Sequence, residues 1–551
     1  MTSSTITAPE PHRAEPYNRD SDASSHDEIA SNSQDGEETE EPDVERLSRV
    51  SSGPPYSVFT PNMKRWIVAM NCVSAFMSPI TGNIYFPAIP TLADSLGVSV
   101  SQINITVTTY MIFQALSPTI FGDFGDAAGR RPAFIIAFSI FLAANIGLAL
   151  QRSYPALLVL RMLQSGGSSG TIALVYAVVA DISMSAERGK YMGIVGAGLT
   201  IGPALGPGGL LNAYLGWVWI FWFLVILTAV WFVPFVIAVP ETARKVVGNG
   251  SVQPRGWNMS LIDYYRFRHQ VQDPSTTPPK QKLRFPNPLN TLRVLRHKDM
   301  AMVLFYNGAL FVCFSTVTAT LSTQYKQIYG YNDLVIGLLY LPIGGATTLA
   351  SVGGGMLADW NFRRIAKKLN VTIDRKRGMD MMNFPVEKAR LQLIYPLIPI
   401  GAAATIGYGW ALQRETHVAV PLVLTFLIGF CVTGPFQVLN ILIVDSYPNA
   451  PATASAANNL VRCLLGAAAT GSIEPIIDAI GRGWAFTLVP LLFLIPFPVL
   501  FVIAKRGPVW RKERTLESMR QAEKEKAAAE LSEKDELPSE TAQSSSNETK
   551  S

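Results

Sequence analysis

The sequence has 551 residues, of which 48% are hydrophobic and 16% are charged, and its formal net charge at pH 7 is +5. The charged residues are concentrated in a few segments with long apolar stretches between them, which excludes an ordinary soluble domain with evenly distributed surface charge. The slight positive charge is too uneven to indicate a nucleic-acid partner, and none is expected.

The first segment, residues 1–60, is rich in serine and acidic residues. It has too few apolar residues to form a core, so we predict a disordered acidic cytoplasmic tail over 1–60. It also contains no hydrophobic secretory signal. The first membrane helix is therefore expected to act as the insertion signal.

Twelve apolar stretches follow the tail, each close to the ~20 residues that an α-helix needs to cross the hydrocarbon of a bilayer. They cover residues 66–86, 105–121, 134–150, 156–180, 192–211, 218–239, 302–321, 334–357, 391–412, 418–444, 460–477 and 485–504. Core helices of a soluble enzyme would not reach these lengths without an amphipathic face. We predict an all-α membrane protein with twelve transmembrane helices in two six-helix bundles, 61–244 and 300–506. A cytoplasmic linker, 245–299, and a cytoplasmic tail, 507–551, complete the prediction.

Lysine and arginine residues are concentrated in one set of loops, for example at Arg188 and Lys190 after the fourth helix and at Lys505 and Arg506 after the last helix. Basic loop residues stay on the cytoplasmic side of a membrane. Both termini are therefore predicted to face the cytoplasm.

The loop between the second and third helices, residues 122–131, has the sequence GDFGDAAGRR, and residues 355–364, GMLADWNFRR, partly repeat it. This repetition at equivalent places in two halves indicates a carrier built from parallel repeats. Acids near such arginines can pair in one conformation and separate in another, which gives a two-state gate. The predicted gate residues are Asp126, Arg130, Arg131, Asp181, Asp359 and Asp445.

Arg161 lies inside the fourth predicted helix, and Gln164 lies on the same face about one turn further along. An arginine within the bilayer must face a cavity or a partner because burial of its charge is costly. Two interpretations remain open, a residue that handles the transported solute or a structural bridge between helices. Asn458 and Arg462 share a face of the eleventh helix in the same way. Arg462 is either a second buried cation or a side chain that reaches the interface.

The fifth helix contains small residues at a spacing of four, Gly198, Gly202 and Gly206, together with Pro203. Small residues let helices approach closely, and proline bends a helix by removing an internal hydrogen bond. These four residues are predicted to form a hinge, with ordinary helix packing as the alternative.

Other polar and aromatic residues within the helices are candidates for a solute cavity. They are Asn83, Tyr85, Gln114, Asn307, Gln437 and Asn440.

Acids are scarce within the membrane, and the main ones are Glu474 and Asp478. The cysteines and histidines have no metal-site spacing, and the sequence has no phosphate-binding glycine loop and no catalytic constellation. No cofactor, metal or enzymatic activity is expected.

Four of these motifs together resemble the major facilitator superfamily, and within it the fungal twelve-helix drug:proton antiporter group that includes quinidine-resistance-type and citrate exporters. The motifs are residues 122–131, 157–164, 198–209 and 445–462, and the resemblance covers about residues 56–506. Two departures from the family pattern are Ala127, where arginine is usual, and Pro207, where glycine is usual.

The resemblance implies the major facilitator fold, a location in the plasma membrane and proton-coupled export of small organic molecules such as drugs or toxic metabolites. It also implies a coupling role for Arg161 and Gln164. Two arginines without a central carboxylate suit an anion, so dedicated export of a dicarboxylate or tricarboxylate such as citrate is the alternative. A transporter-like nutrient receptor is the third reading. The expected partners are a small organic substrate, protons and the lipid bilayer, and the chain is expected to be a monomer.

Overall fold

The computed structural model describes residues 55–201, 211, 214–267, 287–331, 333–371 and 384–536, and all regular structure within these ranges is helical. The first half contributes α1 (Pro61–Asn83), α2 (Val100–Ala128), α3 (Arg130–Leu150), α4 (Tyr154–Ile182), α5 (Ser185–Ile201) and α6 (Val218–Ala238). The second half contributes α7 (Lys298–Tyr329), α8 (Leu341–Lys368), α9 (Leu397–Gln413), α10 (Ala419–Ser446), α11 (Pro451–Ile480), α12 (Arg482–Leu494) and α13 (Phe497–Glu536). Most of the predicted tail, residues 1–54, lies outside the described residues.

Eight spans of the described chain are long and apolar enough to cross a membrane. They lie in α3, α4, α6, α7, α8, α10, α11 and the combined α12 and α13. The remaining predicted spans coincide with α5 and α9, which have 17 described residues each, and with α1 and α2, which are longer but more polar. The prediction of an all-α membrane protein is confirmed.

The helices differ in how deeply they are buried. In α4, 94% of the apolar window is buried within the protein, whereas in α6 the buried share is 33%. The exposed side chains of α6 are large and apolar, among them Val230, Val233 and Ile237. Because a membrane-spanning helix that exposes large apolar side chains faces lipid, α6 lies at the periphery and α4 in the interior.

The two halves meet where α5 packs on α8 and where α2 packs on α11. Glycines make the first crossing close: a Cβ on Gly189 would lie 2.4 Å from the carbonyl oxygen of Gly355, and one on Gly193 would lie 2.5 Å from that of Ser351. At the second crossing, a Cβ on Gly122 would lie 3.0 Å from the carbonyl oxygen of Ala452. The sequence thus permits backbone contact between the halves at two equivalent places.

Short helices connect the long ones and lie near their ends. They are Ile89–Leu96, Arg244–Val247, Leu261–Phe267, Leu289–Val294, Asp333–Leu339 and Val386–Leu391. The predicted boundary at residue 506 falls inside α13, which continues to Glu536. Arg511 of α13 pairs with Glu387 at 2.7 Å, and Arg514 pairs with Asp299. These ion pairs hold the first part of the predicted tail against the second half.

The predicted hinge is only partly within the described residues. A Cβ on Gly198 would lie 2.5 Å from the carbonyl oxygen of Cys72, so Gly198 allows close packing of α5 on α1. Gly202, Pro203 and Gly206 lie outside the described residues, and the hinge role of all four residues stays a prediction.

Candidate functional site

Arg161 is 1% exposed and lies between two tyrosine rings in the first half. Its guanidinium carbon is 3.9 Å from the ring centroid of Tyr85, which follows α1, and 4.3 Å from that of Tyr110 in α2. Aromatic faces attract a desolvated cation and offset part of the cost of its burial. The described residues provide no carboxylate within 4.0 Å of this guanidinium, so its charge is not neutralised by an ion pair.

A chain of amides continues from the same guanidinium. Arg161 Nη1 donates to Gln164 Oε1 at 2.6 Å, and Gln164 Nε2 donates to Asn145 Oδ1 of α3 at 2.7 Å. Arg161 Nε is buried and has no hydrogen-bond partner among the described residues. A buried donor without a partner is costly, so this atom is available to a ligand that offers an acceptor oxygen.

The tyrosines beside Arg161 are themselves held in place. The hydroxyl groups of Tyr85 and Thr106 lie 2.9 Å apart, and the Tyr110 hydroxyl donates to the carbonyl oxygen of Ser78 at 3.3 Å. The aromatic faces are therefore positioned by α1 and α2, while the cation is positioned by α4. This arrangement can bind an anion, because planar guanidinium groups bind carboxylates with two parallel hydrogen bonds.

The second half contains a buried cluster of amides, which we call the amide cluster: Asn307, Gln437, Asn440 and Asn458. Asn307 Nδ2 donates to Asn440 Oδ1 at 2.9 Å and to Asn458 Oδ1 at 2.8 Å. Asn440 Nδ2 in turn donates to Gln437 Oε1 at 3.2 Å. The buried Asn307 Oδ1 has no partner among the described residues. The cluster therefore links α7, α10 and α11 and keeps one acceptor for a hydroxyl or a water.

Arg462 is half-buried and binds a different partner from its predicted neighbour Asn458. Its Nε and Nη2 atoms donate to Asn459 Oδ1 at 3.0 and 2.7 Å, and its guanidinium lies 5.3 Å from the ring centroid of Phe311. Asn459 Nδ2 donates to the backbone carbonyl of Gln114 at 2.8 Å. Arg462 is thus a second cation within the helices, and its partner Asn459 contacts the first half.

Charged residues meet at the end of the molecule where α2 ends and α3 begins, which we call the charged end. In the first half, Arg130 pairs with Asp126 at 2.6 Å and with Asp181 at 2.8 Å. All three side chains are buried. Breaking such a buried pair costs about 3–5 kcal/mol, because the remaining charge is left without a partner.

The acid of each repeated motif binds backbone amides of the opposite half. Asp126 Oδ2 accepts from the backbone amide of Thr453, near the start of α11, at 2.9 Å. Asp359 accepts from the amides of Gly189 and Lys190, near the start of α5, at 2.8 and 2.7 Å. Carboxylates near helix N-termini are stabilised by the helix dipole, and the Thr453 amide is one of those without a partner within its helix. The repetition in the sequence thus corresponds to two equivalent contacts between the halves.

Two further arginines complete these contacts. Arg188 of the first half pairs with Asp445. Arg390 pairs with Asp445 at 3.0 Å and with Asp359 at 3.2 Å, and it donates to the carbonyl oxygen of Ser185 at 2.6 Å. Arg390 is completely buried. It therefore joins both second-half acids to the first half.

Arg131 has a separate role from Arg130. Its guanidinium donates to the backbone carbonyls of Phe235, Val236 and Val239 at 3.3, 2.5 and 2.9 Å. These carbonyls lie at the C-terminal end of α6, where helix carbonyls lack intrahelical partners, although that of Phe235 also accepts from the Val239 amide. The predicted gate residue Arg131 thus caps α6, and it makes no ion pair among the described residues.

Glu241, which follows α6, binds the backbone at the start of α3. Its two carboxylate oxygens accept from the backbone amides of Arg130 and Arg131 at 2.9 and 3.0 Å. Gly129 has a φ of +118°, and a Cβ there would lie 2.6 Å from Glu241 Oε2. Glycine at this position allows the carboxylate to approach the start of α3.

The remaining predicted cavity residues lie apart from these clusters. Asn83 Nδ2 donates to the carbonyl oxygen of Pro79 within α1 at 2.7 Å, and Gln114 contributes its backbone carbonyl to Asn459. Glu474 is half-buried, and Asp478 is exposed. In the described part of the chain, no group of three or more histidine, cysteine or acidic residues can hold a metal ion.

Sequence reasoning missed several residues of these clusters. Asn145 and Arg390 were not singled out, although a buried asparagine on the third helix and an arginine close before the ninth predicted helix are signals of buried polar contacts. Glu241 was not predicted to bind the amides at the start of α3. Nothing in the spacing of Thr453 indicates that it binds Asp126.

Such a two-halved helical membrane protein, with buried cations inside and charged contacts between its halves, has the architecture of a solute transporter. The profile of the Major Facilitator Superfamily matches residues 72–470. The chain therefore belongs to the major facilitator superfamily, a family of transporters, and it is not an enzyme.

Several fungal transporters are similar to this chain over most of its length. The MFS-type transporter phiD of Fungal sp. (strain ATCC 74256) is 45% identical over 480 residues, which are 86% of this chain and 72% of that protein. Citrate exporter 1 of Aspergillus niger is 36% identical over 477 residues, 84% of this chain and 90% of that protein. The predicted membership of the superfamily, with fungal transporters among the similar proteins, is confirmed.

Solved structures show the same fold. The human organic anion transporter MFSD10 (TETRAN) aligns with a TM-score of 0.56 and 20% identity, over 80% of this chain and all of that chain. The proton:xylose symporter XylE aligns with a TM-score of 0.57 and 12% identity, over 81% of this chain and 96% of that chain. At these identities the likeness concerns the fold.

Proposed function

We propose that this chain exports small organic molecules in exchange for protons, and that organic anions are its best substrates. The observation that carries this proposal is the environment of Arg161, which is buried between Tyr85 and Tyr110 with no carboxylate partner among the described residues. A buried charge without a counter-ion is stable only if a ligand or a field supplies the opposite charge. A carboxylate solute meets this need.

The same environment disfavours a cationic drug. A cation near Arg161 meets a like charge, and like charges in a medium of low dielectric constant repel strongly. Arg462, the second cation within the helices, has the amide of Asn459 as its partner and likewise adds positive charge. The two arginines favour dicarboxylate or tricarboxylate solutes over cations. The similarity to citrate exporter 1 of Aspergillus niger supports the same class.

We assign proton coupling to Arg161 and Gln164. Their hydrogen bond continues to Asn145, so a change of ligand at Arg161 would alter the contacts between α3 and α4, through which binding of the solute is linked to binding of a proton elsewhere. Asn458 and the other residues of the amide cluster are proposed to bind the polar end of the solute that is distant from Arg161. The unpartnered Asn307 Oδ1 supports a solute that carries a hydroxyl group.

The charged end is proposed to be the cytoplasmic gate of a plasma-membrane carrier that acts as a monomer with both termini in the cytoplasm. Asp126, Asp181, Asp359 and Asp445 hold this gate closed through their arginine and amide partners. Separation of the halves would break the contacts of Asp126 with Thr453 and of Asp359 with α5. Alternation of the two six-helix halves around the solute then moves it across the membrane.

The test is the efflux of labelled carboxylates and of cationic compounds from cells with and without this chain, across an imposed pH gradient. Citrate, malate and a lipophilic cation are the initial probes. Chain-dependent efflux of a carboxylate that follows the pH gradient is the expected result.

Protection against chemically varied cationic compounds with unchanged carboxylate efflux would replace this proposal with a drug antiporter. The search for the proton-binding group would then begin at Glu474 and Asp478. A variant of the chain that transports nothing and still signals would favour a receptor.

A further inference from the structure

A group of large apolar side chains lies exposed beside the charged end, and the transport cycle proposed above does not use it. We call it the aromatic patch: Trp257, Leu261, Ile262, Tyr264 and Tyr265. Their exposed fractions are 74%, 46%, 52%, 53% and 66%. Such a concentration of exposed apolar residues in a short segment marks an interaction surface.

The segment that carries the patch has a defined structure. Residues Gly256–Asn258 form a turn, and Leu261–Phe267 form a helix whose start is capped by Ser260. The Asp263 amide donates to Ser260 Oγ at 3.0 Å, and Ser260 itself is 1% exposed. The inner face of the segment is therefore fixed on the protein, while the patch points away from it.

The position of the segment relative to the transmembrane helices identifies what covers it. The helix Leu261–Phe267 packs against α6, and the turn Gly256–Asn258 packs against α3. α6 spans the membrane and exposes Val230, Val233 and Ile237 along a stripe toward its last turn. Most of the patch thus lies on a helix that packs against a transmembrane helix with an apolar, lipid-facing side.

The composition of the patch fits the boundary between headgroups and acyl chains. Tryptophan and tyrosine are enriched at this boundary because their rings are apolar and their N–H and O–H groups remain hydrated. A short helix that exposes leucine and isoleucine together with tyrosine can lie in the plane of the interface with its apolar side buried. We propose that the aromatic patch inserts into the leaflet at the charged end.

Insertion would connect the membrane surface to the gate. Arg131 Nε donates to the carbonyl oxygen of Met259 at 3.1 Å, and a Cβ on Gly129 would lie 2.5 Å from Asn258 Oδ1. The segment therefore contacts Gly129, which directly precedes α3, and Arg131 in the first turn of α3. In the proposed arrangement the lipid holds the segment, and the segment holds this end of the first half during alternation. The inference does not depend on the identity of the solute.

The test measures how deeply the patch lies in a bilayer. The full-length chain, with its native cysteines replaced by alanine, carries a single spin-labelled cysteine as Ile262→Cys or Tyr265→Cys and is placed in phosphatidylcholine nanodiscs. Collision of the label with oxygen, which concentrates in lipid, is compared with collision with a water-soluble nickel complex. Val230→Cys on α6 is the lipid control, and Ser251→Cys, which is exposed in the same linker, is the water control.

The expected ratio of oxygen to nickel collision at 262 and 265 lies between the ratios at 251 and at 230, and it is several times that at 251. A ratio equal to that at 251 would overturn the proposal, because the patch would then face water. Low collision with both reagents would also overturn it, because another part of the chain or a protein partner would then cover the patch.

A second measurement leaves the cysteines and the packing unchanged. The chain has ten tryptophans. Subtracting the fluorescence of the Trp257→Phe variant from that of the full chain isolates the signal of Trp257. Lipids brominated near the headgroup end of the acyl chain should quench this difference signal. Absence of quenching by brominated lipid, with quenching by acrylamide in the water phase, would contradict insertion.

Discussion

At the scale of single residues, Arg161 is the side chain on which the proposed function depends. The spacing of Arg161 and Gln164 on one helical face is a sequence property, and their 2.6 Å hydrogen bond follows from it. The position of the Arg161 guanidinium between the rings of Tyr85 and Tyr110 is not a local sequence property, because these rings come from other segments of the chain. The pair of rings offsets part of the cost of burying the arginine without an acid beside it.

We predict that Arg161→Ala abolishes transport while the protein stays folded and reaches the membrane. The variant removes the buried cation that attracts the solute, so flux should fall by about 100-fold or more, as for the loss of a charged contact worth ~3 kcal/mol. Labelled-carboxylate efflux, normalised to surface expression, measures the effect. Arg152→Ala, an exposed arginine in the loop before the same helix, is the matched control and should retain flux. Retained transport in Arg161→Ala would refute the assignment.

A second prediction concerns Asp126, which binds both Arg130 and the start of α11. Asp126→Asn keeps the shape of the side chain and removes its charge, so the closed gate becomes less stable while the solute site is untouched. Turnover should change more than the apparent affinity, and initial-rate kinetics separate the two quantities. Asp123→Asn is the control, because Asp123 lies one turn before Asp126 in α2 and accepts from Asn287 and Asn290. An effect confined to affinity would count against a gate role.

At the scale of elements, α5 and α8 cross closely through glycines of both halves. Hydropathy locates these helices along the chain because a membrane span is a local property of about 20 residues. It does not reveal that Gly189, Gly193 and Gly355 lie at one crossing, since helix pairing is decided by packing. The predicted hinge in α5 continues beyond Ile201, outside the described residues, and stays a prediction.

We predict that Gly193→Ala hinders closure of the charged end. The added Cβ would lie 2.5 Å from the Ser351 carbonyl oxygen and 3.3 Å from the Val352 Cα, so α5 and α8 must separate. Transport should decrease by about tenfold, the effect of ~1–2 kcal/mol of overpacking on the closed state. Efflux assays with equal surface expression measure it. Gly353→Ala on α8, whose Cβ would meet nothing within 4 Å, should transport normally. Equal activity of the two variants would contradict a closed state that needs this contact.

At the scale of the whole molecule, the contacts at the charged end join the halves through pairs that are distant in sequence. Arg188 with Asp445 and Asp126 with Thr453 each connect the first half to the second. Alternating access requires that such contacts be made in one conformation and broken in another. Their strength therefore sets the population of the closed conformation.

This leads to a prediction about accessibility. In a background without native cysteines, Ala452→Cys replaces a residue that is 0% exposed beside Gly122. Its thiol should react slowly with a membrane-impermeant maleimide applied from the side of the charged end. Adding Asp126→Asn should accelerate the reaction by about tenfold, because loss of a charged contact worth ~1.5 kcal/mol raises the open population by this factor. Lys512→Cys, which is exposed, should react equally in both backgrounds. An unchanged rate at 452 would show that Asp126 does not hold the halves together.

The sequence by itself determined the class of protein, the approximate position of the helices and the residues that carry charge into the membrane. These features depend on local hydropathy, on helical spacing and on the cost of burying charge, which neighbouring residues decide. Only the tertiary structure decided the partners: Arg390 with Asp359 and Asp445, Glu241 at the start of α3, and α13 continuing past residue 506. These contacts arise when helices from distant parts of the chain pack together, and no single segment determines the free energy of that packing.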